Sequence, residues 1–339
     1  MRRGFVFSGV LTVLSVLVVA PPASSQTASE EPRVPRTADG RPNLGGVWAN
    51  NSATPLERPD ELADKDAFSD EELAALQQAA TRLFGGADDA AFGDGVFNAV
   101  LADVDRNVSR DGGTGNYSSV WMVDRVFENR TSLLTDPPSG KLPALTQAAE
   151  QRQADRAEQR AQATYHGPEN LPLQVRCITY GIPRVGGLGA GYNSYYQIFQ
   201  TPDHLVMLGE MIHDARVIPI ADWPHIDDSI QQWHGDSRGH WEGDTLVVET
   251  TNFDDRALYL GSTSGRHLVE RFTRVGPEAL HYEITLTDPS VWAQPWTAMA
   301  PLSLSDDTVF EYACHEGNIG MAGILAGARV QEIRPTDQP

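Results

Sequence analysis

Glu210, His213, Asp214 and Arg216 lie within a span of seven residues, and together they hold the side chains that acid–base chemistry needs. Histidine exchanges protons near neutral pH, a carboxylate orients it, and a guanidinium steadies an oxyanion as it forms. His213 is the candidate base, with Glu210 or Asp236 orienting it and Arg216 or Arg238 facing the developing negative charge. Tyr196 or Tyr312 is the candidate donor of a second proton, and His315 completes the catalytic set. Candidates for substrate binding are Tyr192, Asn193, Glu249, Asn252, Arg271, Trp241 and Trp296, with Trp292 nearby. Stacked indole faces beside a polar cleft suit a sugar or an aromatic substrate. Each of these residues also has a plain structural reading: Arg–Asp pairs pin loops, buried tyrosines satisfy their hydroxyls, and tryptophans fill cores.

Other chemistries fit the chain less well. Gly235-Asp236-Ser237-Arg238-Gly239 matches the G-x-S-x-G nucleophile elbow, but that motif needs a strand-to-helix turn and a strand pattern follows here instead. The alternative is a turn in which Asp236 or Ser237 caps backbone amides. The glycine-rich run Gly186–Gly191 has neither a flanking strand–helix unit nor a P-loop lysine, so it reads as a lid or hairpin tip and no nucleotide cofactor is expected. Glu210, His213, His225, Asp227, His234, Asp236 and His240 supply metal-type donors within about 30 residues, yet in no zinc spacing. A divalent metal stays open as an alternative to a cofactor-free site. On a continuous strand Glu210 and His213 point to opposite sides, so joint use requires a bend near Ile212.

Positioning these groups is the work of the segments around them. Residues 1–25 read as an export signal: Arg2-Arg3, the 16-residue apolar run Phe5–Ala20, then small residues ending at Ser25. That run is shorter than the roughly 20 residues a bilayer span needs, so no membrane span is expected after cleavage. Residues 26–57 read as an extended strap ending near a buried Trp48, and 58–169 as a helical and irregular region. Within it, Ser69-Asp70-Glu71-Glu72 is a capping box that opens a helix with Leu73, Leu76, Ala80, Leu83 and Phe84 at helical spacing until Gly85-Gly86. A second, mostly solvated helix is expected from Pro143 to about Tyr165.

From Leu171 the hydrophobic period changes to two. Strands are expected at 195–201, 204–212, 215–220, 244–253, 267–275, 279–288 and 307–314, with turns at Glu242-Gly243-Asp244, Gly276-Pro277-Glu278 and Ser305-Asp306-Asp307. Short strands without crossover helices predict an antiparallel meander over residues 170–335. The fold class is therefore mainly β, closing into a barrel-like, lipocalin-like sheet with an N-terminal helical segment. Two candidate inward rows are Val206, Leu208, Glu210, Ile212 and Thr245, Val247, Glu249, Thr251. Val269 with Arg271, or Leu268 with Glu270, continues them, while His281 and Glu283 share a face. A solvent-facing row gives the same alternation.

An export signal places the chain in an oxidising compartment, periplasmic or secreted, where two cysteines favour one Cys177–Cys314 disulfide. Two free thiols are the alternative, with Cys314 activated by the adjacent His315. The formal charge is −20; loss of Arg2 and Arg3 with the signal leaves 24 basic against 46 acidic side chains, or −22. Such a surface repels phosphate backbones and argues against nucleic acid as a partner.

Several strings resemble those of an uncharacterised family of exported bacterial proteins: Arg36–Pro42, Tyr192–Ile198, Glu210–Arg216, Gly235–Phe253 and Tyr312–Asn318. The resemblance covers most of the mature chain and implies that these polar strings are family features, without naming a reaction. The expected function is an extracytoplasmic lyase or hydrolase acting on a small organic or saccharide substrate by His/carboxylate acid–base catalysis. The alternatives are a lipocalin-like ligand-binding protein and a metal-dependent hydrolase.

Overall fold

Alternation of buried and solvent-facing side chains carries the architecture. The fold was obtained as a computed structural model, which describes residues 33–84, 94–102, 125–161, 165–184 and 193–333. The expected signal segment, the Gly186–Gly191 run and Tyr192 lie outside these. Among the described residues ten strands form one antiparallel sheet: β1 (Gly46–Ala49), β2 (Leu134–Asp136), β3 (Tyr195–Gln200), β4 (His204–Gly209), β5 (Ala215–Pro219), β6 (Asp236–Glu242), β7 (Thr245–Thr251), β8 (His267–Arg274), β9 (Ala279–Thr287) and β10 (Trp296–Ser305). Their order is β5-β4-β3-β1-β10-β9-β8-β7-β6, with β2 also on β10. The hydrogen-bonded ladder does not close. Its two edges meet at a single bridge between Ile220 and Gly239, where a Cβ on Gly239 would sit 3.4 Å from the Ile218 and Ile220 side chains.

One face of the sheet is the core. Leu268, Glu270 and Phe272 on β8, Leu280, Tyr282, Ile284 and Leu286 on β9, and Trp296, Ala298, Ala300 and Leu302 on β10 are all buried. Each large apolar side chain among them contributes on the order of 1.5–3 kcal/mol. The opposite faces are polar and paired, as with Arg271–Glu242 at 2.9 Å and His267–Glu249 at 2.5 Å. Of the two expected registers on β8, Leu268 with Glu270 points inward. The other expected inward rows are shifted by one residue: Leu205 and Met207, not Val206 and Leu208, face the core, and so do Leu246, Val248 and Thr250 rather than Thr245, Glu249 and Thr251. Because the period is two, that single-residue shift moves Glu249 to the outer face.

Helix α1 (Asp70–Phe84) begins where expected: the Ser69 amide donates to Glu72 Oε2 at 2.9 Å and the Glu72 amide to Ser69 Oγ at 3.3 Å. Leu73, Leu76 and Leu83 pack with Phe68, Phe97 on α2 (Asp94–Leu101) and Phe127 into a satellite core. Helix α3 (Gln147–Ala161) starts four residues after Pro143, at a turn where the Ala149 amide donates to Thr146 Oγ1. The segment expected as a strap supplies β1, paired with β3 on one side and β10 on the other, with Trp48 fully buried.

Residues 307–314 form no strand. Two of their amides meet side chains from the 210–213 bend instead of a ladder: Phe310 N donates to Glu210 Oε1 at 3.3 Å and Tyr312 N to His213 Nδ1 at 2.9 Å. Beyond them helix α4 (Ile319–Ile333) occupies what the period-two reading assigned to the β region. Cys177 and Cys314 are joined in a disulfide, with Cα atoms 5.7 Å apart. Among the described residues no helix is long and apolar enough to cross a membrane. Both observations fit an exported protein.

Candidate functional site

Where β5 and β6 approach, the chain leaves a cleft of ≈690 Å³ walled by residues 178–179, 214–217, 219, 231–238, 254 and 256. Its floor is a polar chain built by non-local pairing. The Thr179 hydroxyl donates to Asp214 Oδ2 at 2.7 Å, and His234 Nε2 lies 2.7 Å from the same hydroxyl and 3.4 Å from the carboxylate. A hydroxyl has one proton. Since Thr179 gives its proton to Asp214, His234 donates from Nε2, and in the neutral imidazole the lone pair is then on Nδ1. Burial works against the Asp214 charge, but the His234 and Thr179 contacts and the Tyr180 amide at 2.9 Å outweigh it and hold the carboxyl below its ordinary value.

A second histidine–carboxylate pair involves Asp236 on the cleft wall. Asp236, at the start of β6, accepts from His225 Nδ1 at 2.7 Å and from Arg238 Nη1 at 2.7 Å. At the outer edge Arg256 lies 4.4 Å over the Trp233 ring and chelates Asp254 through Nε and Nη2, both at 2.8 Å. That contact draws the Asp254 carboxyl down to about 2.

Beneath the cleft, five strands converge through inward side chains. Arg216 on β5 donates to Glu270 Oε1 (3.0 Å) and Oε2 (2.6 Å) on β8, to Ser237 Oγ (3.0 Å) on β6 and to Thr250 Oγ1 (3.2 Å) on β7, while the Tyr282 hydroxyl on β9 donates to Glu270 Oε1 (2.6 Å). Burial opposes the Arg216 charge, yet Glu270 more than offsets it and the guanidinium pKa is raised. Burial and the neighbouring Glu270 push the Tyr282 phenol well above 10. Ser237, the serine of the G-x-S-x-G string, is thus a buried strand residue whose oxygen serves Arg216 and not a nucleophile on a turn.

The remaining expected residues separate into groups. Asp236, Arg216 and Arg238 line the cleft, and Tyr196 lies behind it, buried, with its phenol pKa raised by that burial. The bend expected near Ile212 exists, with φ of 65° at Ile212 and 57° at His213, a conformation costly for a β-branched residue. It sends Glu210 and His213 to the 310–312 segment, and His213 does not line the cleft. Tyr312 meets His213 through its amide, and His315 is exposed. Asn193 is fully buried. Asn252 pins the 226–230 loop through carbonyl acceptors on Asp227 and Ile230 at 3.0 and 3.1 Å. Glu249 and Arg271 are on the outer face. Trp241 carries Arg41 at 5.4 Å from its ring, and Trp296 packs edge-on against Trp292 at 5.7 Å in the core. Among the described residues no group of three or more His, Cys, Asp or Glu side chains is arranged to hold a metal ion.

Thr179, Trp233 and Arg256 escaped the sequence reading, Glu270 entered it only as part of one of two inward registers on β8, and His234 only as a metal donor. Its one local signal is adjacency to the Gly235–Gly239 string; the pairing with Asp214 spans 20 residues and follows no motif.

Glu210 offers a test away from the cleft. Burial raises its carboxyl pKa against the opposing Phe310 and Tyr195 amides. The folded chain therefore holds that proton to higher pH than the unfolded chain, so stability falls as pH rises from the ordinary glutamate value through the raised one. Glu210→Gln, which never ionises, is expected to have a higher denaturation midpoint than the parent at pH 7 and a shrinking advantage toward pH 4. An advantage that is constant with pH would contradict this account.

Comparison with protein families, curated proteins and solved structures found no match for this chain.

Proposed function

We propose that the protein is an exported lyase or hydrolase for a small organic molecule, in which His234 takes and returns the proton at the cleft between β5 and β6. The observation that carries this reading is the Asp214–Thr179–His234 chain, which fixes the imidazole tautomer and leaves Nδ1 as the base. In this mechanism Asp214 stabilises the imidazolium once the proton has been taken, and Arg238 faces the charge developing on the substrate oxygen. A cleft of ≈690 Å³ falls within the range of small-molecule sites. We also read the sheet as barrel-like: the Ile220–Gly239 bridge and the Arg216–Ser237 hydrogen bond both span its two edges. A periplasmic or secreted location follows from the export signal and accords with the disulfide.

Incubation with pooled small glycans, aromatic acids and aliphatic acids, followed by mass spectrometry, is expected to show gain or loss of water from one class. His234→Gln should lower that turnover about 100-fold or more with an unchanged circular dichroism spectrum. Equal turnover by the variant would rule out His234 as the base. Retention of one compound without mass change would instead favour the binding-protein alternative.

A further inference from the structure

Behind the cleft lies a second space. Asp214, Arg216 and His234 line both the cleft and an inner cavity of ≈30 Å³, which Arg184, Tyr196 and Met207 help to close. A space of that size holds about one or two waters, or one carboxylate head. Two buried guanidinium groups line it, Arg184 at 7% exposure and Arg216 at 6%. On both, the Nε–H has no hydrogen-bond partner, and buried donors are rarely left unpaired.

The two arginines differ in how their charge is balanced. Arg216 has Glu270. Among the described residues Arg184 has no ion pair: its Nη2 reaches the Asn193 carbonyl at 3.4 Å, and its guanidinium lies over Tyr180 and Tyr196 at 4.9 and 5.7 Å. Asp214, the acid on the cavity wall, is engaged by His234, Thr179 and the Tyr180 amide. Glu210 also feels the Arg184 charge but does not line the cavity, and its own burial favours the protonated form. A buried planar fork of donors that forms no ion pair, its acidic neighbours being engaged elsewhere or protonated, has the shape and charge that carboxylates match.

We propose that the inner cavity is a carboxylate subsite, in which Arg184 and Arg216 hold the carboxylate of a small organic acid next to His234. This deepens the acid–base reading above and rests on it for the identity of the reacting centre: a carboxylate anchored there leaves the rest of the molecule in the outer cleft, with its bonds nearest the carboxylate at the imidazole. The substrate class is then a carboxylic acid rather than a neutral sugar.

The probe is acetate, titrated into the full mature chain and followed by line broadening of the ¹³C-labelled carboxylate, with chloride as the competing simple anion. Saturable binding in the millimolar range is expected, retained in His234→Gln and weakened about tenfold or more in Arg184→Met. Arg184→Lys, which keeps the charge but loses the fork, should recover only part. No saturable acetate binding by the parent chain, equal affinity in Arg184→Met, or chloride displacing acetate at equal concentration would each overturn the proposal. Should Arg184→Met fail to fold, unchanged affinity in Arg184→Lys overturns it by the same standard. Acetate binding without any turnover would leave the subsite standing and remove the enzyme reading, whereas His234-dependent turnover without acetate binding would do the reverse.

Discussion

Replacing both bridged cysteines, as Cys177→Ala/Cys314→Ala, is expected to lower stability by about 5 kcal/mol. The bridge spans 137 residues, and closure of so long a loop removes about that much conformational free energy from the unfolded chain in the entropy model. It also joins two segments that share few other ties. The 312–318 turn is otherwise held to residues 175–177 by Asn318 Nδ2, which donates to the Val175 carbonyl at 2.7 Å. Cys177 lies two residues before Thr179, so release of the bridge is also expected to loosen the Thr179–His234 contact. Urea denaturation with and without reductant measures the effect. A loss below about 1 kcal/mol would mean that the unfolded chain is already confined, or that folding strains the bridge.

Glu270→Ala is expected to cost about 3–5 kcal/mol, since it strips the counter-charge from a buried guanidinium. Glu270 is fully buried and accepts two hydrogen bonds from Arg216 and one from Tyr282, so one truncation leaves three donors facing a cavity. The paired replacement Arg216→Met/Glu270→Leu removes both charges and fills the space with apolar atoms; it is expected to recover most of the loss, because burying an ion pair roughly offsets its own attraction. Denaturation midpoints of the two variants decide it. A double variant as unstable as the single one would show that the pair stabilises the sheet beyond charge compensation.

Local rules were readable wherever the physics is local. The Ser69–Glu72 capping box, the hairpin turn at Gly243, whose φ is 59°, and the alternating runs of β8 and β9 depend on neighbours a few residues away, and each lies where the residues place it. Strand β10 was hidden by Pro301, which normally argues against a central strand. It is tolerated because it falls between Ala298, the last residue paired to β2, and Ser303, the first paired to β1, so that side of β10 needs no amide there. The converse error arose at 307–314: Val309, Phe310 and Tyr312 favour a strand, but β-propensity reflects surroundings, and the surroundings here are the Glu210 and His213 side chains.

Composition, charge and cysteine pairing were thus readable from residue types alone, since a count of charges and a choice of one possible pair need no particular geometry. Which histidine is the candidate base was decided only when β5 and β6 came together. Asp214, Thr179 and His234 are distant along the chain, and a hydrogen bond between them forms only when the sheet curls enough for Arg216 to reach Ser237 and Glu270 across its open edge. His213 had the better neighbours in sequence. His234 has the better neighbours in space, because two left-handed residues turn the chain at Ile212 and commit His213 to a backbone amide.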